Sequence, residues 1–281
     1  MDKICDLHTH SVYSDGSYTP AQLLQEAQQR GLSALALTDH NTAAGLPDFL
    51  AAAKSSSVEA VCGVEFSVDY NGTELHILAL GLKEACFGQV TALMEQYHRR
   101  KDESNRNLAD NLNRAGYHID YDSIKASTPK GEVNRALFAT HLVQAGYVET
   151  VKEAFSKLLS PQCGYYTPPR RETPEKMLTI IRDLGAVSVL AHPLLNLKPA
   201  EVRHFLEEMR PYPLVGMEVA YSTYSPEETA VAAALAEEFG LLPSGGSDFH
   251  GTAKPDIAIG VGRGKLCIPY GWWESLKKAE L

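Results

Sequence analysis

Apolar residues fall along this chain in short blocks separated by longer amphipathic stretches. Residues 4–7, 34–38, 58–68, 74–80, 186–191 and 215–220 read as strands. Between them, 20–30, 46–55, 174–184, 199–209 and 226–239 carry apolar positions three or four apart, the mark of helices with one buried face. Thr19-Pro20 opens the first helix as an N-cap followed by proline at the first helical position, and Arg30-Gly31 closes it. Asn71-Gly72 reads as a tight hairpin turn between the third and fourth strands. This strand-then-helix order predicts an α/β fold, a parallel sheet covered by helices and either open or closed into a barrel. From about 83 to 162 only helical periodicity is present, over 90–115, 135–145 and 148–158, which predicts an all-helical insertion. The Pro-, Gly- and Tyr-rich stretch 160–169 marks the return to the main domain. The expected division is a discontinuous main domain of residues 1–83 and 163–281 with a helical domain of 84–162 inserted.

At 281 residues and 44% hydrophobic content the chain can bury one large core. No apolar run approaches the roughly 20 residues that span a bilayer, and Met1-Asp2-Lys3-Ile4 lacks a signal-peptide pattern, so a soluble, cytoplasmic protein with no membrane contact is expected. Five cysteines, an odd number without a Cys-x-x-Cys pair, suit a reducing compartment and read mostly as core residues. The net charge of -9 argues against stable binding to duplex DNA, which depends on neutralising many phosphates. That total is unevenly spread. Residues 84–172 carry 12 Lys+Arg against 11 Asp+Glu, net +1, which leaves -10 for the remainder. The middle segment is either a solvated helical surface or a face that meets an anionic ligand.

Six of the ten histidines stand in short clusters, most of which close an apolar run: His8-Thr9-His10, Thr38-Asp39-His40, Leu75-His76, Ala191-His192-Pro193 and Ser247-Asp248-Phe249-His250. In an extended segment His8 and His10 project from one side, shared with Asp6, a candidate for orienting them. Asp15 follows in Ser14-Asp15-Gly16, and Glu65 lies within the third strand. Histidine and carboxylate are ligands of zinc, manganese and ferrous iron, and residues at successive strand ends gather at one rim. His8, His10, Asp15, His40, Glu65, His76, His192, Asp248 and His250 are therefore candidate ligands, enough for two or three metals if a carboxylate such as Glu65 bridges. Taken singly, Asp15 could be a turn residue, Glu65 a strand-surface residue and any histidine a satisfied polar group. His98, His118, His141 and His204 are given that ordinary reading.

In order along the chain, Asp6-Leu7-His8-Thr9-His10, Ser14-Asp15-Gly16, Leu37-Thr38-Asp39-His40-Asn41, Gly63-Val64-Glu65, Ala191-His192-Pro193 and Gly246-Ser247-Asp248-Phe249-His250 resemble the successive motifs of the polymerase and histidinol phosphatase (PHP) superfamily. The resemblance runs through both halves of the main domain. It implies a distorted (β/α)7 barrel, the PHP fold, with the small helical domain inserted and a trinuclear site at the C-terminal face of the strands. Three divalent cations, Mn2+, Zn2+ or Fe2+, are implied: one held by His8, His10, Glu65 and Asp248, a second by Glu65, His76 and His192, and a third by Asp15, His40 and His250. The insertion, the stretch Gly164-Tyr165-Tyr166-Thr167-Pro168 and residues 187–193 further resemble the branch containing nucleoside 3',5'-bisphosphate phosphatases and 5'-to-3' exoribonucleases. Where that branch carries an Arg-Pro-His-type motif, this chain reads Asn134-Arg135-Ala136-Leu137-Phe138, with the arginine kept and Leu137 at the histidine position.

The resemblance implies a metal-dependent phosphoesterase in which a metal-activated hydroxide attacks a phosphomonoester. His8, His10, Asp15, His40, Glu65, His192, Asp248 and His250 would form the catalytic centre, and small nucleotides, nucleoside 3',5'-bisphosphates among them, or RNA 5' ends the substrates. Three dications facing Asp15, Glu65 and Asp248 leave a net positive pocket inside an acidic barrel, which suits phosphate. Arg135 is the candidate for a further phosphate contact, because guanidinium can grip two oxygens at once. Arg100 and Arg106 are further candidates that read equally well as helix-surface residues. The near-neutral insertion is expected to cover the metal rim and to contact a second phosphate or a base. Tyr165 or Tyr166 would supply a stacking face or pack in the core. On the same ligand set, histidinol-phosphate phosphatase and metal-dependent amidohydrolase are the enzyme alternatives. A non-catalytic metal-binding module of a polymerase is a third, against which stand the complete ligand set and a chain that ends at Leu281 without a polymerase.

Overall fold

The computed structural model describes residues 3–127 and 133–279. The elements begin with β1 (Ile4–Asp6), α1 (Pro20–Gln29), β2 (Ala34–Leu37), α2 (Leu46–Ala53), β3 (Glu59–Tyr70) and β4 (Thr73–Leu80). Helices α3 (Phe87–Arg114), α4 (Tyr121–Ala126), α5 (Arg135–Gln144), α6 (Val151–Ala154) and α7 (Pro174–Asp183) follow. The chain continues through β5 (Val187–Ala191), α8 (Pro199–Met209), β6 (Gly216–Tyr221), α9 (Pro226–Phe239), β7 (Leu242–Gly246), β8 (Ile268–Pro269) and α10 (Tyr270–Lys277). Two compact units result, Met1–Thr91 with Arg171–Leu281 and Ala92–Arg170.

In the first unit one mixed sheet has the order β7-β6-β5-β4-β3-β2-β1-β8. It departs from the all-parallel expectation at β4, antiparallel to β3 and β5, and at β8, antiparallel to β1. The cause at β4 is local. Asn71 and Gly72 adopt φ of 52° and 83°, the positive pair that a two-residue hairpin needs, and so short a turn can join only antiparallel neighbours. At the C-terminal ends of β1 and β7 the chain segments approach each other: Leu7 N–H donates to Gly245 O, Asp248 N–H to His8 O and His10 N–H to Phe249 O. The sheet is thereby nearly closed into a barrel. Gly246 makes that approach possible, since a Cβ there would lie 2.1 Å from the His8 Cβ.

Strands β2 and β5 are buried on every residue, as expected for strands with both faces covered. Their inner residues join a core of Ala34, Ala36, Val61, Leu78, Leu80, Val189 and Trp273. Capping fixes the helix starts: Thr19 and Gln22 form a reciprocal box at α1, and Ser225 and Glu228 do so at α9. Helix α10, which no sequence signal announced, is pinned to Glu59 at the start of β3 by Tyr270, Trp273 and Lys277. Of the five cysteines only Cys5 and Cys62 belong to the core; Cys86 and Cys163 are half-buried and Cys267 is exposed.

The second unit is helical and has its own core of Leu112, Tyr121, Phe138, Leu142, Leu158 and Leu159, with the Tyr121 and Phe138 rings stacked. The helix expected over 148–158 starts later, at α6, because the Thr150 hydroxyl caps Glu153 N–H. It then loosens into a π turn over Phe155–Leu159. Among the described residues no helix is long and apolar enough to cross a membrane.

Candidate metal centre

Strand register carries the candidate ligands to one end of the barrel. His40 bridges to Glu65 across β2 and β3, His76 in β4 pairs with Ala191, and His192 follows directly. His8 and His10 lie just past β1, and Thr9 between them pairs with Phe249, which sets Asp248 and His250 alongside. Four non-glycine residues among those described have positive φ; one turns the β3–β4 hairpin, and the others are Asn41, His192 and Asp248. Strain of this kind persists where surrounding bonds over-determine it. Asn41 shows how: its side chain exchanges hydrogen bonds with Ser67 N–H and Oγ, like one rung of a ladder, and its N–H donates to Glu65 O.

Glu65 is the hub of the cluster. Its Oε1 is 2.7 Å from His76 Nδ1 and 3.0 Å from His192 Nε2. Its Oε2 is 3.0 Å from His40 Nδ1, 3.1 Å from His8 Nε2 and 3.2 Å from His10 Nε2. Three ring nitrogens thus surround an oxygen that makes no hydrogen bond, and His10 Nδ1, also buried, makes none. Such orphaned atoms are rare in a folded interior. Two ligands held about 2.1 Å from one cation at tetrahedral angles lie about 3.4 Å apart, so converging lone pairs at these spacings fit a metal better than they fit one another. Asp248 Oδ1 approaches His10 Nε2 at 3.1 Å and His8 Nε2 at 3.6 Å, and Asp15 Oδ1 approaches His250 Nε2 at 3.2 Å. Three ligand groups emerge, His8–His10–Glu65, His40–Glu65–His76 and His10–Asp15–His40–His250, with Asp248 and His192 on their edges. All nine candidates are brought together.

The electrostatics match. Burial works to raise the Glu65 carboxyl, but His40, His76, His8 and His10 hold it well below its usual range. Asp248 and Asp15 are likewise depressed against burial, in both cases chiefly by His250. Burial lowers the imidazoles in turn. Glu65 and Glu218 outweigh it at His8, which is raised; Asp248 and Glu65 lift His10 to about 9, and Glu65 with Glu74 lifts His76 to about 10. At His40 burial prevails and the ring falls to about 3.

Several supporting residues were not anticipated. Glu218 in β6, fully buried, takes His8 Nδ1 at 3.0 Å on one oxygen and His192 N–H at 2.7 Å on the other. A lone carboxylate inside an apolar strand was the available signal. Asp39 accepts from Ser11 N–H, Ser11 Oγ and Ser14 Oγ, which fixes the loop that carries Asp15. Arg171 donates to Glu74 at 2.6 Å, and Glu74 stands 3.6 Å from His76 Nε2. Tyr221 and Lys254 both bond Asp248 Oδ2. Asp6, the expected candidate for orienting His8 and His10, instead accepts from the N–H groups of His8, Ser247 and Gly260, so it ties the two loop backbones together.

The arginine candidates lie in the helical unit. Arg135 begins α5, donates to Leu159 O at 3.3 Å and stacks on Tyr166 and Phe155 with its guanidinium carbon 4.6 and 5.6 Å from the ring centres. Arg106 pairs with Asp102 and Asp122 and lies over Tyr121; Arg100 is half-buried on α3. Tyr166 is buried in that unit's core, with Tyr165 and Leu137 packed against it.

The family of the PHP domain matches residues 6–161. A 5'-3' exoribonuclease of Haemophilus influenzae is 33% identical over 282 residues, covering 100% of this chain and 96% of the relative. A 3',5'-nucleoside bisphosphate phosphatase of Chromobacterium violaceum is 30% identical over 276 residues, covering 97% and 96%. Among solved structures, an amidohydrolase of Chromobacterium violaceum with bound sulfate and no metal superposes with a TM-score of 0.84 at 29% identity, over 97% of this chain and 95% of that one. The chain belongs to the PHP-domain family and is a hydrolase.

Proposed function

We propose that this enzyme hydrolyses phosphomonoesters of small nucleotides, nucleoside 3',5'-bisphosphates foremost, or of RNA 5' ends, at a cytoplasmic centre of three divalent cations (Mn2+, Zn2+ or Fe2+). The observation that carries this reading is Glu65 Oε2, buried, without a hydrogen bond and within 3.2 Å of three imidazole nitrogens. The cations, when bound, polarise phosphoryl oxygens and bring the pKa of coordinated water to about 7.

The chain's own part is positioning. Glu65, with five imidazoles in reach, links the ligand groups, and the nine proposed ligands are His8, His10, Asp15, His40, Glu65, His76, His192, Asp248 and His250. Glu218 fixes His8 and the backbone of His192 at once. The His8, His10 and Glu65 side chains are fully buried, whereas Asp15, His40 and His76 keep 24%, 21% and 17% of their surface, so phosphate enters on the latter side. Arg135 is proposed as the contact for a second phosphate, with Arg100 and Arg106 as further contacts.

The names of two relatives, a 5'-3' exoribonuclease and a 3',5'-nucleoside bisphosphate phosphatase, support nucleotide substrates, and the sulfate in the solved relative supports a tetrahedral anion. The amidohydrolase name of that structure favours a second reading, amide hydrolysis at the same centre. A panel of nucleoside 3',5'-bisphosphates, matching monophosphates, 5'-phosphorylated oligoribonucleotides, histidinol phosphate and amides tests both. Higher kcat/KM for the bisphosphate is expected. Equal values for bisphosphate and monophosphate, or a preference for histidinol phosphate, would reject the substrate; turnover of amides alone would select the second reading.

A further inference from the structure

Asp248 turns one oxygen toward the cluster and has the other occupied. Its Oδ1 faces His10 Nε2 at 3.1 Å, His250 Nδ1 at 3.4 Å and His8 Nε2 at 3.6 Å. Its Oδ2 accepts from the Tyr221 hydroxyl and from the Lys254 ammonium, each at 2.6 Å. Two donors use up the in-plane lone pairs of that oxygen. They arrive from different elements, Tyr221 from the end of β6 and Lys254 from the loop past the Gly251–Ala253 turn. That turn is itself held, because Thr252 N–H donates to Ser17 Oγ and a Cβ on Gly251 would strike the same hydroxyl. Asp248 also carries a left-handed backbone, φ 53°, so its inward pose is one the chain alone disfavours.

We propose that Tyr221 and Lys254 are positioning residues that clamp Asp248 with Oδ1 alone directed at the cation position it shares with His8 and His10, and so set the affinity of that position. The inference rests on the metal-centre reading above. Aspartate χ2 is a broad torsion, so an unclamped carboxylate presents either oxygen, both or neither. With Oδ2 held from two sides, one ligating geometry remains. Partners behind a metal ligand are typically worth about 10–100-fold in metal affinity. The Lys254 side chain is 36% exposed against 6% for Asp248, so its substitution removes a rim group without opening a core cavity.

The test is a calorimetric Mn2+ titration of metal-stripped full-length protein, wild type against Lys254→Met, Lys254→Arg and Tyr221→Phe, with thermal melts to establish folding. One equivalent should bind about 10–100-fold more weakly in Lys254→Met and in Tyr221→Phe, with the others unchanged and Lys254→Arg recovering most of the loss. At saturating Mn2+, phosphate release by Lys254→Met should return to the wild-type KM. Wild-type affinities in both variants would overturn the clamp alone. So would a raised KM at wild-type metal affinity, which would place Lys254 against substrate. A wild-type protein that takes up no Mn2+ would overturn the metal centre and the clamp with it.

Discussion

In the metal-free protein Asp15, Glu65 and Asp248 are held ionised by imidazoles, while His8, His10 and His76 are held protonated by carboxylates. Protons therefore stand where cations would go. A histidine must be neutral to ligate, so metal uptake at pH 7 should release about three protons per chain, measurable by calorimetry in buffers of different ionisation enthalpy. Apparent affinity should climb as pH rises toward 9, and the absence of proton release would show that these rings are not displaced. The raised values also act on the fold. A histidine raised to about 9 or 10 stabilises the metal-free protein fully below its ordinary 6.5, and that contribution is lost as pH rises through 9 to 10. Glu218→Gln keeps the shape of a residue that serves two ligands at once but removes its charge, and it should weaken metal binding about 10–100-fold. Wild-type metal affinity in that variant would return Glu218 to a purely structural role. The nine residues that the structure gathers were legible in the sequence because most of them interrupt or end an apolar run. Glu218 was not, because its meaning lies in His8, 210 residues away.

Strand and helix periods recovered β1 to β6, and α8 and α9 to their end residues, because caps and turns there are written in adjacent positions such as Ser225 and Glu228, whereas β7, with Pro243 and two glycines in five residues, shows no apolar run and was missed. What else escaped was set at a distance. β8 is two residues long and exists through pairing with Ile4 and Cys5, and α10 through Glu59. Burial raises the Glu59 carboxyl, yet the bonds from Lys277, Tyr270 and Trp273 outweigh it and hold it low. A depressed carboxylate stabilises above its ordinary 4.5 and loses that effect as pH falls through its lowered value. Glu59→Gln should therefore cost about 1 kcal/mol at pH 7 in urea unfolding, and the gap from wild type should close below pH 4. A gap that persists unchanged in acid would contradict the charge contribution. Gly246→Ala places a methyl against His8 and should cost about 1–3 kcal/mol while also weakening metal uptake, since β1 and β7 meet there. Wild-type stability in that variant would mean the closure can widen freely.

The barrel carries a cluster of residues suited to binding cations and the helical unit a set of arginines suited to phosphate, and the charge divides likewise, net +1 over 84–172 and -10 elsewhere. Arg135→Ala should raise KM with metal content unchanged, a loss of about 1.5–3 kcal/mol in kcat/KM for a charge-assisted contact. An unchanged kcat/KM would confine Arg135 to its stacking on Tyr166. The most direct test is phosphate release from a nucleoside 3',5'-bisphosphate followed as metal-stripped protein is refilled. Activity should be absent at the start, rise with occupancy to a plateau near about three divalent cations per chain, and fall together with metal content in His192→Ala. Full phosphate release by protein that holds no metal would contradict it.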